Sequence, residues 1–479
     1  VTEKIYDAII VGSGAGGSAA AYVLANAGLH IALIEKGHAL PRDSSTLDAS
    51  QIATPGRFKS DEVWQESNGG RFCPEEYFNL GGKTKWYGAA LLRNRPHEFD
   101  ADPMHQCLAW PIGYDDLAPY YAQAESLLGV RQFKTEPNLQ LIIDRLAKRS
   151  PTWRNEPLVL GLSADIQKHS VEARHFDGFA SPTDLKKDAQ TVFLNLILDR
   201  PNVDLISNLS VTELLSQSDA TKISGVRMSN GVTIQGRTVL LAAGALHSPR
   251  LLQRYIETHG LAEKLPCFAN VGANFKMHVS TVMVVVSPSV KTDLLRKTTL
   301  FLEASLPHSS VQPLGFDGEY ILGLISKFVP RAIARPVSER AYAFLLQTED
   351  GSHRDNRVKA GSAATQNLSL LDYSGSRTPA AVSEHRHLIG YFRGALLRAG
   401  MLAFSRRVGV NNTANASGTL ITGKDPGHSV VDPMGQVHGL KSLYVVDGSI
   451  LPRLSRVGPA LTIYAWALRV AEIVATRLK

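Results

Sequence analysis

The stretch that most restricts what this chain can fold into lies at residues 5–37: IYDAIIV, then GSGAGG, then SAAAYVLANAG and LHIALIEKG. The first seven residues read as a buried parallel strand. In the segment after the glycines, Ala20, Val23, Leu24 and Ala27 fall on one helical face, and Gly28 is a natural stop. A second apolar run ends at Glu35. Strand, glycine turn, helix and strand in this order form a dinucleotide-binding unit. Gly12 permits the tight turn, Gly14 lets a pyrophosphate approach the backbone, and Gly17 lets the helix pack closely on the strand. Free N–H groups at the helix start, from Ala15 onward, are expected to bind phosphate. Glu35, 18 residues after Gly17, is placed for the adenosine ribose hydroxyls, with Lys36 beside it. NAD and FAD both satisfy this unit.

Three distant stretches separate the two. NLGGKTKWYGAALLRNRPHEF (Asn79–Phe99) carries paired glycines and a third at Gly88, suited to backbone lying close against a flat or charged ligand. RTVLLAAGALHSPRLL (Arg237–Leu252) reads as a buried strand ending in small residues before a helix. Near the carboxyl end, LYVVDG reads as a strand reaching Asp447, and GPALTIYAWALRVAEIVATRL as a helix with Pro459 in its first turn. With WPIGYDDLAPYYAQAESLLGV (Trp110–Val130), VGANFKMH (Val271–His278) and TEDGSHRDNRV (Thr348–Val358), the chain resembles the glucose–methanol–choline (GMC) oxidoreductase family along most of its length.

That resemblance implies an α/β fold: a Rossmann-like FAD-binding domain of GMC type, plus a substrate domain on an antiparallel β-sheet. The dinucleotide domain is expected from residues 1–100, 186–277 and 408–479, and the substrate domain from 278–407. Residues 101–185 are left as linking helices and loops. The resemblance also implies roles. Gly12, Gly14, Ala15, Gly17, Glu35 and Lys36 would hold the ADP half, and Val211 would meet the adenine through its backbone. Gly82, Thr84 and Gly88 would lie along the flavin and its phosphates, and Ala243 and Gly244 would line the dinucleotide. Asp447 and Gly448 would approach the pyrophosphate and ribityl chain. The closing helix would aim its N-terminus, Gly458 through Pro459, Ala460 and Leu461, at the flavin ring, where its partial positive charge favours an anionic reduced flavin. Some relatives attach flavin through a histidine in the GGxxxHW stretch. Here that position is Trp86, which cannot form the bond, so the FAD is expected to be non-covalent.

The catalytic pair is where this sequence departs from the family. The resemblance implies a histidine base in an H-x-x-G-T segment and a histidine or asparagine just before the proline of the last helix. The aligned residues are Asn415, in NASGT, and Gly458, in VGPALT. An amide accepts no proton at ordinary pH. After residue 387 the only histidines are His428 and His438, and no asparagine follows Asn415. Three readings stay open. The chain still oxidises an alcohol or sugar with another base or solvent taking the proton, His278, His385 and His387 being the candidate bases. Alternatively, the flavin scaffold serves lyase-like or light-driven chemistry. In the third, the chain is a catalytically weakened FAD-binding protein or an engineered variant.

Composition narrows the rest. The 479 residues are 44% hydrophobic and 20% charged, which marks a globular chain, and the net charge of +7 is spread without a basic run interleaved with aromatics. Nucleic acid is therefore not an expected partner. No run reaches the ~20 apolar residues of a membrane span. Glu319–Leu346 is apolar with regular basic residues, readable as a membrane-touching or substrate-touching segment, though Pro330 and Pro336 favour ordinary core. Cys73, Cys107 and Cys267 have no metal spacing and are odd in number, so neither a metal site nor a disulfide framework is expected, and the reading places the chain in the cytoplasm. No G-x-S-x-G elbow occurs, against a hydrolase. The expected partners are a small-molecule substrate and an electron acceptor that the motifs leave open.

Overall fold

The computed structural model describes residues 4–315, 320 and 330–479. Its first sheet has seven strands. Ile5–Val11 lies between Ile31–Glu35 and Thr233–Leu241, all parallel, and Val203–Ser207 adds beyond Ile31–Glu35. The strand Thr233–Leu241 has two neighbours on its other side. Its first half pairs antiparallel with Ile223–Met228, which continues to Val211–Ser216; its second half pairs in parallel with Leu443–Val445. A carboxyl-terminal strand is thus inserted beside an amino-terminal unit.

The helix Ala15–Asn26 follows the glycine turn and packs against the last helix, Ala460–Leu478. Small side chains make this approach possible. Ala19, Ala20 and Ala21 on one helix and Ala465, Ala467 and Ala471 on the other are wholly buried. An ideal Cβ on Gly16 would stand 1.8 Å from the Val446 carbonyl oxygen, so only glycine fits there.

The second sheet is antiparallel throughout, in the order 402–407, 279–286, 341–348, 309–313, 299–303 and 153–157. Alternation along its strands gives it two different faces. Met283, Phe344, Phe301 and Trp153 point into a core closed by the long helix Pro379–Arg398, whose Phe392 ring lies 5.1 Å from Trp153 and 5.3 Å from Phe344. On the opposite face the register aligns Ser280, Gln347 and Ser310 in one row, and Val282, Leu345 and Gln312 in the next. That second face turns toward the first sheet.

Trp153–Pro157 is the strand through which the 101–185 stretch enters this sheet. A small third sheet joins Trp64–Glu66 and Arg71–Phe72 to Leu370–Asp372 and Arg357–Lys359. In the apolar segment 319–346, residues 319 and 321–329 lie outside the described residues. Arg331–Ser338 is a short helix, and Ala341–Thr348 a largely buried strand of the second sheet. Among the described residues, no helix is long and apolar enough to cross a membrane.

Candidate active site

A cavity of about 670 Å³ runs from the glycine turn, between the first two sheets, to the face of the antiparallel sheet that carries Ser280, Gln347 and Gln312. The three fingerprint glycines do different things at its first end. Gly12 has φ +102°, and a Cβ there would meet the Ala242 carbonyl oxygen at 2.5 Å. A Cβ on Gly17 would sit 1.9 Å from the Gly12 carbonyl oxygen, at the helix–strand contact and behind the cavity wall. Gly14 opens on the cavity with no heavy atom within 4 Å of an ideal Cβ, leaving room for a ligand to reach its backbone.

Ala15, Glu35, Lys36 and Val211 line the same end. The Glu35 carboxylate accepts from Ser13 N (3.0 Å), Ser13 Oγ (2.6 Å) and Gly37 N (2.9 Å). Burial pushes its pKa up and the Ser13 and Gly37 hydrogen bonds pull it back. Glu35 therefore fastens the glycine turn to the end of its neighbouring strand, a task that the sequence reading did not give it. Lys36 spans Glu62 (3.0 Å) and the Phe78 ring (3.7 Å to its centre).

Midway, Gly82 is folded against Gly14, its ideal Cβ 3.0 Å from the Gly14 Cα. Thr84 Oγ1 donates to the Gly81 carbonyl (2.6 Å) and accepts from Ala189 N (3.0 Å). Ala243, Gly244 and Gly448 are on the wall. Asp447 staples them: one carboxylate oxygen accepts from Gly244 N (2.8 Å) and Ser248 Oγ (2.5 Å), the other from Ser449 N (2.9 Å) and Ser449 Oγ (2.5 Å). Burial raises its pKa against those bonds. Trp86, also on the wall, stacks on Tyr77 with ring centres 4.8 Å apart and donates through Nε1 to Asn79 Oδ1 (3.0 Å).

At the far end Gly458, Pro459 and Ala460 bring the N-terminus of the last helix to the cavity, whereas Leu461 is wholly buried behind it. An ideal Cβ on Gly458 meets nothing within 4 Å. Asn415 is on the wall and His278 is not. His278 stands behind Asn415, its Nδ1 3.2 Å from the Asn415 amide nitrogen and its Nε2 2.9 Å from the Ser455 carbonyl. His385 is buried between Thr281 (2.8 Å) and Thr348 (2.9 Å), and His387 is exposed beside Tyr391; neither reaches the cavity.

The sheet contributes Ser280, Ser310, Gln312 and Gln347 to this end. Gln312 Nε2 donates to Gln347 Oε1 (2.8 Å), while its own Oε1, buried, has no partner among the described residues. Lys297 and Asp177 complete the wall as an ion pair at 2.5 Å beside Gly88. Nothing in the sequence marked these two or the glutamines. They are separated along the chain and belong to no recognisable motif; only the register of the second sheet could have suggested that Gln347 and Gln312 share a face in adjacent rows.

The residues fit an extended dinucleotide. A glycine backbone is bared to the cavity where phosphate would lie, and a helix N-terminus closes the opposite end. A nucleotide-binding α/β unit joined to an antiparallel sheet across such a cavity is an architecture suited to a dinucleotide-dependent oxidoreductase. Sequence profiles of GMC oxidoreductase match residues 6–280 and 352–467, and the chain belongs to that family, whose cofactor is FAD. It is 27% identical to a 6'''-hydroxyparomomycin C oxidase of Streptomyces lividus, over 99% of this chain and 92% of that one. It is 26% identical to a paromamine 6'-oxidase of Streptomyces fradiae, with the same coverage. Among solved structures, pyridoxine 4-oxidase from Mesorbium loti has the same fold, at TM-score 0.67 and 17% identity over 98% of this chain and 99% of that one.

Proposed function

We propose that this protein oxidises the CH–OH carbon of a hydroxyl-rich alcohol, a sugar or amino-sugar, to the carbonyl, with non-covalently bound FAD. The observation that carries this reading is the polar floor of the cavity. Ser280, Gln347 and Ser310 face inward in one row across three adjacent strands, and Gln312, beside Val282 and Leu345 in the next row, has a carbonyl oxygen without a partner among the described residues. A buried polar group left unpaired is costly, so such a floor suits a ligand that brings hydroxyl or amino groups to it. The names of the two Streptomyces relatives, which span nearly all of this chain, point to the same substrate class.

In this reading the dinucleotide domain is 1–100, 186–277 and 408–479, and the substrate domain is 278–407 with the strand Trp153–Pro157. Gly12, Gly14, Ala15, Glu35, Lys36 and Val211 hold the ADP half, and Gly82, Thr84, Gly88, Ala243, Gly244 and Gly448 line its course. Bound FAD supplies a two-electron acceptor for hydride. The helix start at Pro459–Ala460 stabilises negative charge near it. Asn415 orients the substrate through its amide, and the two sheets exclude water from the reacting carbon.

The test is direct. FAD-loaded protein is mixed in darkness, without oxygen, with alcohols, sugars and amino-sugars including paromamine, and flavin absorbance is followed. Bleaching by hydroxyl-rich substrates is expected. Bleaching by none of them overturns the reading, and turnover only under blue light would assign the scaffold to different chemistry.

A further inference from the structure

Oxidation of a CH–OH carbon leaves a hydroxyl proton that something must accept. Asn415 has no basic atom and Gly458 no side chain. His278 is behind the wall with both ring nitrogens engaged. At the sheet end of the same cavity stand Asp177 and Lys297.

Their setting is built from four chain segments. An ideal Cβ on Gly88 would lie 2.2 Å from Lys297 Nζ and 2.3 Å from Asp177 Oδ1, so the pair fills the volume a side chain there would take. Lys186, wholly buried, donates to the carbonyls of Tyr87 (2.8 Å) and Phe176 (2.7 Å), the residues just before Gly88 and Asp177. Gly178 N donates to the Trp86 carbonyl (2.9 Å), and Gly315 N to Asp177 Oδ2 (3.2 Å). Asp177 Oδ2 thus serves Lys297 and Gly315. Among the described residues Oδ1 accepts no hydrogen bond. A nearly buried ion pair is a weak source of stability, because desolvation offsets its attraction. Here it is fixed in a cavity wall with one carboxylate oxygen spare.

We propose that Asp177 is the proton acceptor of this site and Lys297 its positioning residue. The proposal rests on the alcohol-oxidising reading above. The substrate O–H bond breaks as a bond from the proton to Asp177 Oδ1 forms, and the released electron pair becomes the second C–O bond. The C–H bond breaks with its pair as hydride, for which FAD, when bound, would be the two-electron acceptor. The alcohol is oxidised to the carbonyl, and the proton later passes from Asp177 to water. Lys297 holds the carboxylate through Oδ2 and leaves Oδ1 for the substrate.

Wild type, Asp177→Asn and Lys297→Met are compared as FAD-loaded proteins, using the alcohol that bleaches wild-type flavin fastest. For Asp177→Asn, anaerobic flavin reduction is expected to slow by ~10²–10⁴. Its FAD affinity and visible spectrum should stay unchanged, and the acidic limb of the kcat/KM profile should disappear. Lys297→Met should keep that limb and move it to higher pH. Reduction of Asp177→Asn within about tenfold of wild type, with the limb in place, overturns the proposal. A structural role would instead lower FAD affinity and leave the limb where it is. If Asp177→Asn does not fold, Lys297→Met decides: an unmoved limb overturns the assignment. If no alcohol bleaches the wild type, the functional reading has failed and this assignment falls with it.

Discussion

The amide nitrogen of Asn415 stands 3.2 Å from Nδ1 of His278, whose Nε2 is 2.9 Å from the Ser455 carbonyl. A carbonyl only accepts, so Nε2 carries the proton, and Nδ1 accepts from Asn415. Burial pushes the His278 pKa down, against the Ser455 bond, and the ring is a neutral support for the asparagine. Asn415→Leu would strand a buried Nδ1 without a donor, at about 1–3 kcal/mol. Urea unfolding should show that loss, and the variant's flavin should be reduced more slowly.

Gly458 leaves open space, with no atom within 4 Å of an ideal Cβ. Gly458→Asn should therefore fold with stability within about 0.5 kcal/mol of wild type. Joined to Asn415→His, it places an imidazole and an amide at the positions where the family resemblance implies a catalytic pair. In an Asp177→Asn background this double replacement should restore flavin reduction by at least ~10². Stopped-flow bleaching checks it, and no recovery would show that the cavity has diverged beyond these positions.

Two neighbouring glycines should respond oppositely to alanine. Gly17→Ala puts a methyl 1.9 Å from the Gly12 carbonyl and should cost at least about 1–3 kcal/mol, seen in the unfolding midpoint with or without FAD. Gly14→Ala meets no protein atom and should leave the FAD-free protein as stable as wild type, while weakening FAD binding measured by fluorescence titration. Equal effects on both quantities would mean that Gly14 does not face the phosphates.

Stability should be greatest at about pH 6.5 because of His105 and His308, whose rings stack 3.7 Å apart. His308 sits between Glu349 (3.0 Å) and Asp102 (3.0 Å), with Glu384 and Arg453 nearby. Burial opposes its charge, but the carboxylates outweigh burial and raise its pKa. That contribution is complete below about pH 6.5 and is lost as pH rises through the raised value. His105 is the reverse: burial, then the His308 charge, lowers its pKa, so its contribution fades as pH falls below about 6.5. Denaturation midpoints across pH should fall on both sides, and His308→Gln should flatten the alkaline side.

The flavin should leave the protein on acid or denaturant extraction, since Trp86 stands where the family resemblance would put an attachment histidine, and its indole is occupied by Tyr77 and Asn79. Absorbance of the supernatant measures this; colour retained on the precipitated chain would refute it.

What the sequence determined by itself was local and periodic. The unit from Ile5 to Glu35 forms as read, with its helix at Ala15–Asn26, because hydrophobic period and glycine sterics act within a few residues. The helix Ala460–Leu478 was legible on the same ground, and the order of motifs disclosed the family and its two-part fold. Tertiary structure alone decided how the site is furnished. Glu35 turned out to brace Ser13, and Asp447 to tie two turns together. His278 went behind Asn415, and Lys297 met Asp177 across 120 positions of chain. Contacts of that kind depend on sheet register and on which segments share a cavity. No spacing along the chain encodes them, because the energy that selects them is released only when distant segments pack.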